Sequence, residues 1–271
     1  MRYRQHPVSP DLAPWIERLW ELEGTCPVAE LPQTIAPDGR MELIFHFGDP
    51  ALQGETLQPH SLITGQFLQA LCLNPRGSMD AIGIRLRPEA GKAMTGIPCH
   101  EISSRILPME DVLGEWAKSA RERAGQFPDA PSRLASILDS LRHLVRSSPD
   151  PLVTESVRRI EMLFGRGTVD RFWSGLGLSA RHWERRFLSA TGLTPKELAR
   201  ITRFQHAIAL YESGCWDRWA DLAMECGFYD QSHLANEFRV FSGSSPEAFF
   251  RDPPELTSLF LRRELLDGEA T

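Results

Sequence analysis

The sequence has no run of apolar residues long enough to cross a bilayer. Its opening residues, Met1-Arg2-Tyr3-Arg4-Gln5-His6, lack the apolar stretch of a secretory leader. No membrane partner is therefore expected, and the cytoplasm is the expected compartment. Cysteine is scarce and badly spaced for chemistry. Cys26, Cys72, Cys99, Cys215 and Cys226 are an odd number with no CxxC pair, which excludes a disulfide frame or a cysteine zinc site and leaves reduced packing residues. The N-terminal histidines His6, His46, His60 and His100 are scattered without an HxH pair, so no metal site is expected. No nucleotide-binding glycine loop, nucleophile elbow or HExxH motif occurs, so neither a cofactor nor catalysis is the primary reading. Positive charge is short as well. The net charge of −6 means that affinity for nucleic acid cannot rest on overall electrostatics.

What remains is a folded-protein composition over 271 residues, enough for more than one core. The first part mixes strand and turn signals. Met41 to Phe47 is rich in strand formers after the turn Pro37-Asp38-Gly39. Leu62 to Leu73 fits one or two strands, and Ala81 to Arg87 alternates until Pro88. Asp11 to Leu22 fits either a short helix or the first strand. Short strands at this spacing predict a β-sandwich or small barrel. From about residue 108 the period becomes helical, with helices over Asp111–Ala124 and Ser132–Arg146. Ser147-Ser148-Pro149-Asp150-Pro151 reads as a linker, which divides the chain into 1–148, 149–252 and a tail, 253–271, that is acidic at its end.

Beyond the linker two copies of one pattern follow: a short helix, a glycine turn, a capping residue, then a two-faced helix. The first runs through Gly177, Ser179 and Ala180–Ala190; the second through Gly227, Asp230 and Gln231–Phe241. Thr194-Pro195 starts the longer helix between them. In the first two-faced helix Trp183 and Phe187 share the inner face, while Arg181 and Arg185, also four apart, share an outer one. Two arginines so placed suit guanine O6 and N7 in the major groove, although the same spacing also describes a solvated face. In the second, Leu234, Phe238 and Phe241 form the inner stripe. Gln231, Ser232, His233, Asn236 and Arg239 are left for base edges and phosphates. From Ser179 to Phe204 there are six bases against two acids, so phosphate attraction is expected on the first unit.

These residues resemble the AraC/XylS family of bacterial transcription regulators. The resemblance runs through Leu178-Ser179, Arg185, Phe187, Gly192-Leu193-Thr194-Pro195, Arg203, Ala207 and Leu222-Ala223. It continues with Gly227-Phe228-Tyr229-Asp230-Gln231-Ser232, Phe238-Arg239, Phe241, Gly243, Ser245-Pro246, Phe249 and Arg251. It implies an all-α domain of two helix-turn-helix units joined by a long helix, bound to adjacent major-groove segments of double-stranded DNA. It further implies that Arg181, Glu184 and Arg185 face DNA from the first unit, and Gln231, Ser232, His233 and Asn236 from the second; His182 and Arg239 join them as expected DNA-binding residues from their outward positions on the same helices. Asn236 stands where the family often has arginine, and the second unit is acidic, so the first unit is expected to dominate affinity. More loosely, Leu31-Pro32 through Phe45 and Gly83-Ile84-Arg85-Leu86-Arg87-Pro88 resemble a cupin-like effector domain. The whole resembles an α+β chain that senses a small-molecule effector, with RNA polymerase and a second copy of itself as partners by family analogy. Trp15, Trp20, Phe45, His46 and Arg85 are the candidate pocket residues. Two other readings stay open: a cupin-like enzyme, and an interaction protein whose Ser132–Arg146 helix forms a dimer seam.

Overall fold

The computed structural model describes residues 1–26, 32–145, 147–175, 177, 179–214, 216, 218–253 and 256–257, apart from the side chains of Asp170 and Arg171. Expectations attached to Leu31, Arg146, Leu176, Leu178, Cys215, Asp217 and residues 258–271 fall outside the described residues.

The chain is α+β, a β-rich N-terminal half followed by helices. The strands are β1 (Arg2–His6), β2 (Ile16–Cys26), β3 (Gln33–Ile35), β4 (Glu42–His46), β5 (Leu52–Gln53), β6 (Thr56–Leu57), β7 (Ser61–Thr64), β8 (Leu71–Leu73), β9 (Gly77–Leu86) and β10 (Ile106–Pro108). Six of them form one antiparallel sheet in the order β1-β2-β9-β4-β7-β10, while β3 pairs with β8 and β5 with β6 as separate ribbons. Residues 16–22 are strand, not helix, because alternation continues through Cys26 against the whole of β9. The first strand, Arg2–His6, was not expected, since it offers only Tyr3 to the core.

Alternation gives the main sheet two unlike faces. Leu19, Leu43, Phe45, Ile82 and Ile84 pack with Ala117, Ala120, Leu134, Ile137 and Leu141 of two helices. Trp20, Leu22, Ile44, Met79 and Ala81 lie on the other face, towards the β3–β8 ribbon. Trp20 sits opposite Gly83 in the β2–β9 register. A Cβ at Gly83 would lie 1.9 Å from the Trp20 ring, so glycine is what lets the indole lie flat across the sheet.

The helices are α1 (Gly91–Thr95), α2 (Met109–Leu113), α3 (Glu115–Ala124), α4 (Ala130–Leu144), α5 (Pro151–Met162), α6 (Asp170–Trp173), α7 (Ala180–Thr191), α8 (Pro195–Glu212), α9 (Trp219–Glu225), α10 (Gln231–Ser242) and α11 (Pro246–Arg251). The single helix expected over 111–124 is two, because Gly114, at φ 60° and ψ −146°, interrupts the ladder. The apolar stripe of α4, for which a dimer seam stood as an alternative to an ordinary core face, lies in its own core: Leu134, Ile137 and Leu141 are buried there.

Side-chain caps set the C-terminal helices. Asp150 accepts from the Leu152 amide, and Pro151 takes the first turn of α5. Thr194 and Glu197 make a reciprocal capping box on α8. Trp183, Phe187, Phe204, Phe238 and Phe241 are fully buried in one cluster, which also takes in Ala36 from the β-rich half. The two halves are tied together where α7 ends. Cys99 Sγ donates to the Ala190 carbonyl at 2.9 Å and Ser103 Oγ to the Gly192 carbonyl at 2.7 Å. Gly192 ends α7 at φ 76°, and a Cβ there would meet Ser103 Oγ and Gln66 Oε1 at 2.5 Å, so the close approach requires glycine.

Candidate nucleic-acid interface

The first two-faced helix, α7, starts at Ser179, whose Oγ accepts from the His182 amide at 3.4 Å. Trp183 and Phe187 fix its rotation, because both are fully buried and the Trp183 Nε1 donates to Ser156 Oγ at 2.7 Å. Given that anchor, 100° per residue turns Arg181, His182, Glu184 and Arg185 outward, and all four are exposed. Among the described residues, neither Arg181 nor Arg185 has an ion pair. Both line one surface groove with Lys196 from the first turn of α8. Lys196, also exposed, adds a third cation without an ion pair among the described residues, brought to the groove by the first turn of α8.

The positive field is smaller than the sequence suggested. Of the six bases between 179 and 204, Arg186 pairs with Asp150 at 2.6 Å. Arg200 makes two hydrogen bonds, at 2.8 and 2.9 Å, to the buried carboxylate of Glu237. Arg203 donates to the Gly165 carbonyl at 2.8 Å and the Gly227 carbonyl at 3.4 Å, holding the second glycine turn. These three stitch α5, α7, α8 and α10 together and are not free for phosphate.

The second two-faced helix, α10, is capped by Asp230, whose Oδ1 accepts from the His233 amide at 2.7 Å. Leu234, Phe238 and Phe241 point inward as expected. Gln231, Ser232, Asn236 and Arg239 are exposed. Asn236 Oδ1 accepts from Arg239 at 3.0 Å, so the two act as one unit. His233 is half-buried: its Nδ1 accepts from the Tyr229 amide at 3.2 Å and its ring stands edge-on to Phe228. The ring therefore braces the turn, with only Nε2 left to face outward. Tyr229, immediately before the cap, is 87% exposed.

A second feature lies in the β-rich half. A cavity of about 100 Å³ separates the main sheet from the β3–β8 ribbon. Trp20, His46 and Arg85 line it; Trp15 and Phe45 do not. Phe45 alternates with Ile44 and His46 and so faces the helices, while Trp15 packs in that same core with its Nε1 donating to the Ser147 carbonyl at 2.8 Å. Arg85, 3% exposed, pairs with Asp38 at 2.9 Å and Glu42 at 2.8 Å. Burial raises the Glu42 carboxyl above its usual range, against the lowering effect of Arg85. His46 is buried with its Nε2 unpartnered, and burial, with His60 and Arg121 nearby, pushes its pKa down to about 4, so the ring is neutral. The thiols of Cys99 and Cys226 are pushed up to about 12, chiefly by burial, which leaves them unreactive; Cys72, in contrast, is exposed and does not pack.

Residues 174–252 match the model of a helix-turn-helix domain. This part of the chain is an AraC-type helix-turn-helix domain. Such a domain binds DNA, and its presence points to a regulator of transcription. Residues 4–108 match a family described as a domain of unknown function. No curated protein sequence matches the chain. Among solved structures, ToxT from Vibrio cholerae is similar at 10% identity, over 93% of this chain and 98% of that one, with a TM-score of 0.43. ToxT from Vibrio cholerae O395 bound to (E)-4-(8-methylnaphthalen-1-yl)but-3-enoic acid is similar at 11% identity, over 93% and 99%, with a TM-score of 0.44. No described helix is long and apolar enough to cross a membrane.

Proposed function

We propose that the chain is a one-component cytoplasmic regulator in which residues 149–252 read duplex DNA and residues 1–148 respond to a small molecule, with residues 253–271 as a tail. One observation carries the reading. Arg181 and Arg185 stand one turn apart, exposed and without ion pairs among the described residues, on a helix whose opposite face is locked by Trp183 and Phe187. That arrangement suits bidentate recognition of guanine in the major groove, and it is displayed by an AraC-type domain. Glu184 and His182 flank the arginines and set which neighbouring bases are accepted. Gln231, Ser232 and the Asn236–Arg239 pair make the contacts of the second unit, weaker because Asn236 is already engaged. RNA polymerase is the partner through which binding alters transcription, and a second copy of the chain doubles the site. The cavity between the sheet and the ribbon is the sensing site. Ligand occupancy acts by shifting the balance between conformations with different DNA affinity.

The test is selection of the full chain on a random duplex pool, followed by a salt titration on the enriched sequence. The expected result is one enriched motif whose affinity falls steeply as salt rises. Enrichment of no sequence, or affinity indifferent to salt, refutes the reading.

A further inference from the structure

The cavity in the β-rich half is closed in part by a residue from the far end of the chain. Leu256, 2% exposed, lies five residues beyond α11 and shares a cluster with Tyr3, Trp20, Leu22, Met79 and Ala81. Its amide donates to Gln33 Oε1 at 3.4 Å. Next to it, Thr257 Oγ1 donates to the Thr34 carbonyl and accepts from the Ala36 amide at 3.2 Å. Three hydrogen bonds and one leucine thus fasten Leu256 and Thr257 onto β3 and the residue after it. At its other end, α11 packs on α10 through Phe249 against Phe238. Leu256, at the cavity, is therefore only five positions in sequence from α11, which packs on the second reading helix.

The chemistry of the walls restricts what the cavity accepts. Its two arginines are already neutralised: Arg85 by Asp38 and Glu42, Arg40 by Glu17 at 2.6 Å and Glu161 at 2.8 Å. A carboxylate or phosphate entering here would meet no free cation and several acids. The rest of the wall is mostly apolar, with the unpartnered Nε2 of neutral His46 as a buried hydrogen-bonding group. Size supplies the remaining restriction. At about 100 Å³ the space is smaller than the roughly 150 Å³ apolar cavity known to admit benzene. Adding the volume of the Leu256 side chain brings it into that range.

We propose that the cavity binds a compact uncharged molecule, a ring-sized apolar body with one hydroxyl, and that this ligand displaces Leu256 and frees Leu256 and Thr257 from β3. The inference rests on the reading of this cavity as the sensing site. Leu256 is then a competitor built into the chain, and the occupied cavity is the state in which α11 and α10 are no longer tied to the sheet.

Benzyl alcohol and benzoate, which share a ring and differ in charge, are the probes. Calorimetry on the full chain measures binding, and hydrogen exchange reads the peptide containing Leu256 and Thr257. Benzyl alcohol is expected to bind and to accelerate exchange of that peptide about tenfold, whereas benzoate does neither. Leu256→Ala removes the competitor and is expected to tighten benzyl alcohol binding about tenfold, as loss of a buried leucine's transfer free energy implies; Leu256→Val falls between. Binding that protects the segment, benzoate binding as tightly as the alcohol, or no saturable binding to either variant would overturn the proposal. Retention on duplex DNA is followed in parallel. Segment release with unchanged DNA affinity supports the displacement and refutes the regulatory role of the cavity. Altered DNA affinity without release leaves that role standing and overturns the displacement.

Discussion

Arg200 lies in the most basic stretch of the chain, yet its geometry assigns it to the fold and not to DNA. Its guanidinium makes two hydrogen bonds to Glu237, whose side chain is 9% exposed against 33% for Arg200. Arg200→Met keeps the length of the side chain and leaves the Glu237 carboxylate buried and unpaired. Breaking such a pair costs about 3–5 kcal/mol when both partners are buried; the partial exposure of Arg200 reduces the expectation to roughly 2 kcal/mol. The Glu237→Gln partner change removes the stranded charge, so the double variant should recover about half of that loss. Urea unfolding, followed by circular dichroism with the denaturant slope held constant, measures each corner of the cycle. The reasoning fails if Arg200→Met unfolds at the wild-type midpoint while losing DNA affinity, because Arg200 would then be a phosphate contact.

Arg185→Ala should weaken binding to the selected duplex by roughly 10–100-fold at unchanged stability, and Asn236→Ala by less; a gel-shift series that reverses this order contradicts dominance of the first unit. His46, at about 4 in the folded chain and near 6.5 when unfolded, binds its proton mainly in the unfolded state between those values. Stability is therefore fullest above pH 6.5 and falls as pH drops towards 4, by at most roughly 3 kcal/mol from this group. His46→Gln should flatten that part of the pH profile of urea midpoints, and an unaltered profile would rule the assignment out. Gly83→Ala places a methyl group 1.9 Å from the Trp20 ring and should cost about 1–3 kcal/mol with a changed near-ultraviolet spectrum; a neutral result would mean the sheet accommodates it.

The C-terminal half was legible because its signals are local. Ser179, Thr194, Asp230 and Ser245 each cap the helix that follows, and the inner aromatics recur at helical spacing. Charge was less legible. Nothing local distinguishes Arg185, which is free, from Arg200, whose partner lies 37 positions away. The same limit applied in the β-rich half. Strand identity followed from alternation, but which face holds the cavity depends on where α3, α4 and the β3–β8 ribbon pack. Of the five candidate pocket residues, Trp20, His46 and Arg85 line the cavity and Trp15 and Phe45 do not, although His46 and Phe45 are adjacent in one strand. Leu256 was read only as part of a tail, since a residue that fills a cavity more than two hundred positions away leaves no local pattern.

The central claim, that the outer face of α7 enters the major groove, is tested most directly by guanine N7 methylation interference on the selected duplex. The account predicts that methylation at particular guanines blocks the wild-type chain and that Arg185→Ala loses sensitivity at one of them. Wild-type binding indifferent to N7 methylation, or an identical interference pattern for Arg185→Ala, would contradict it.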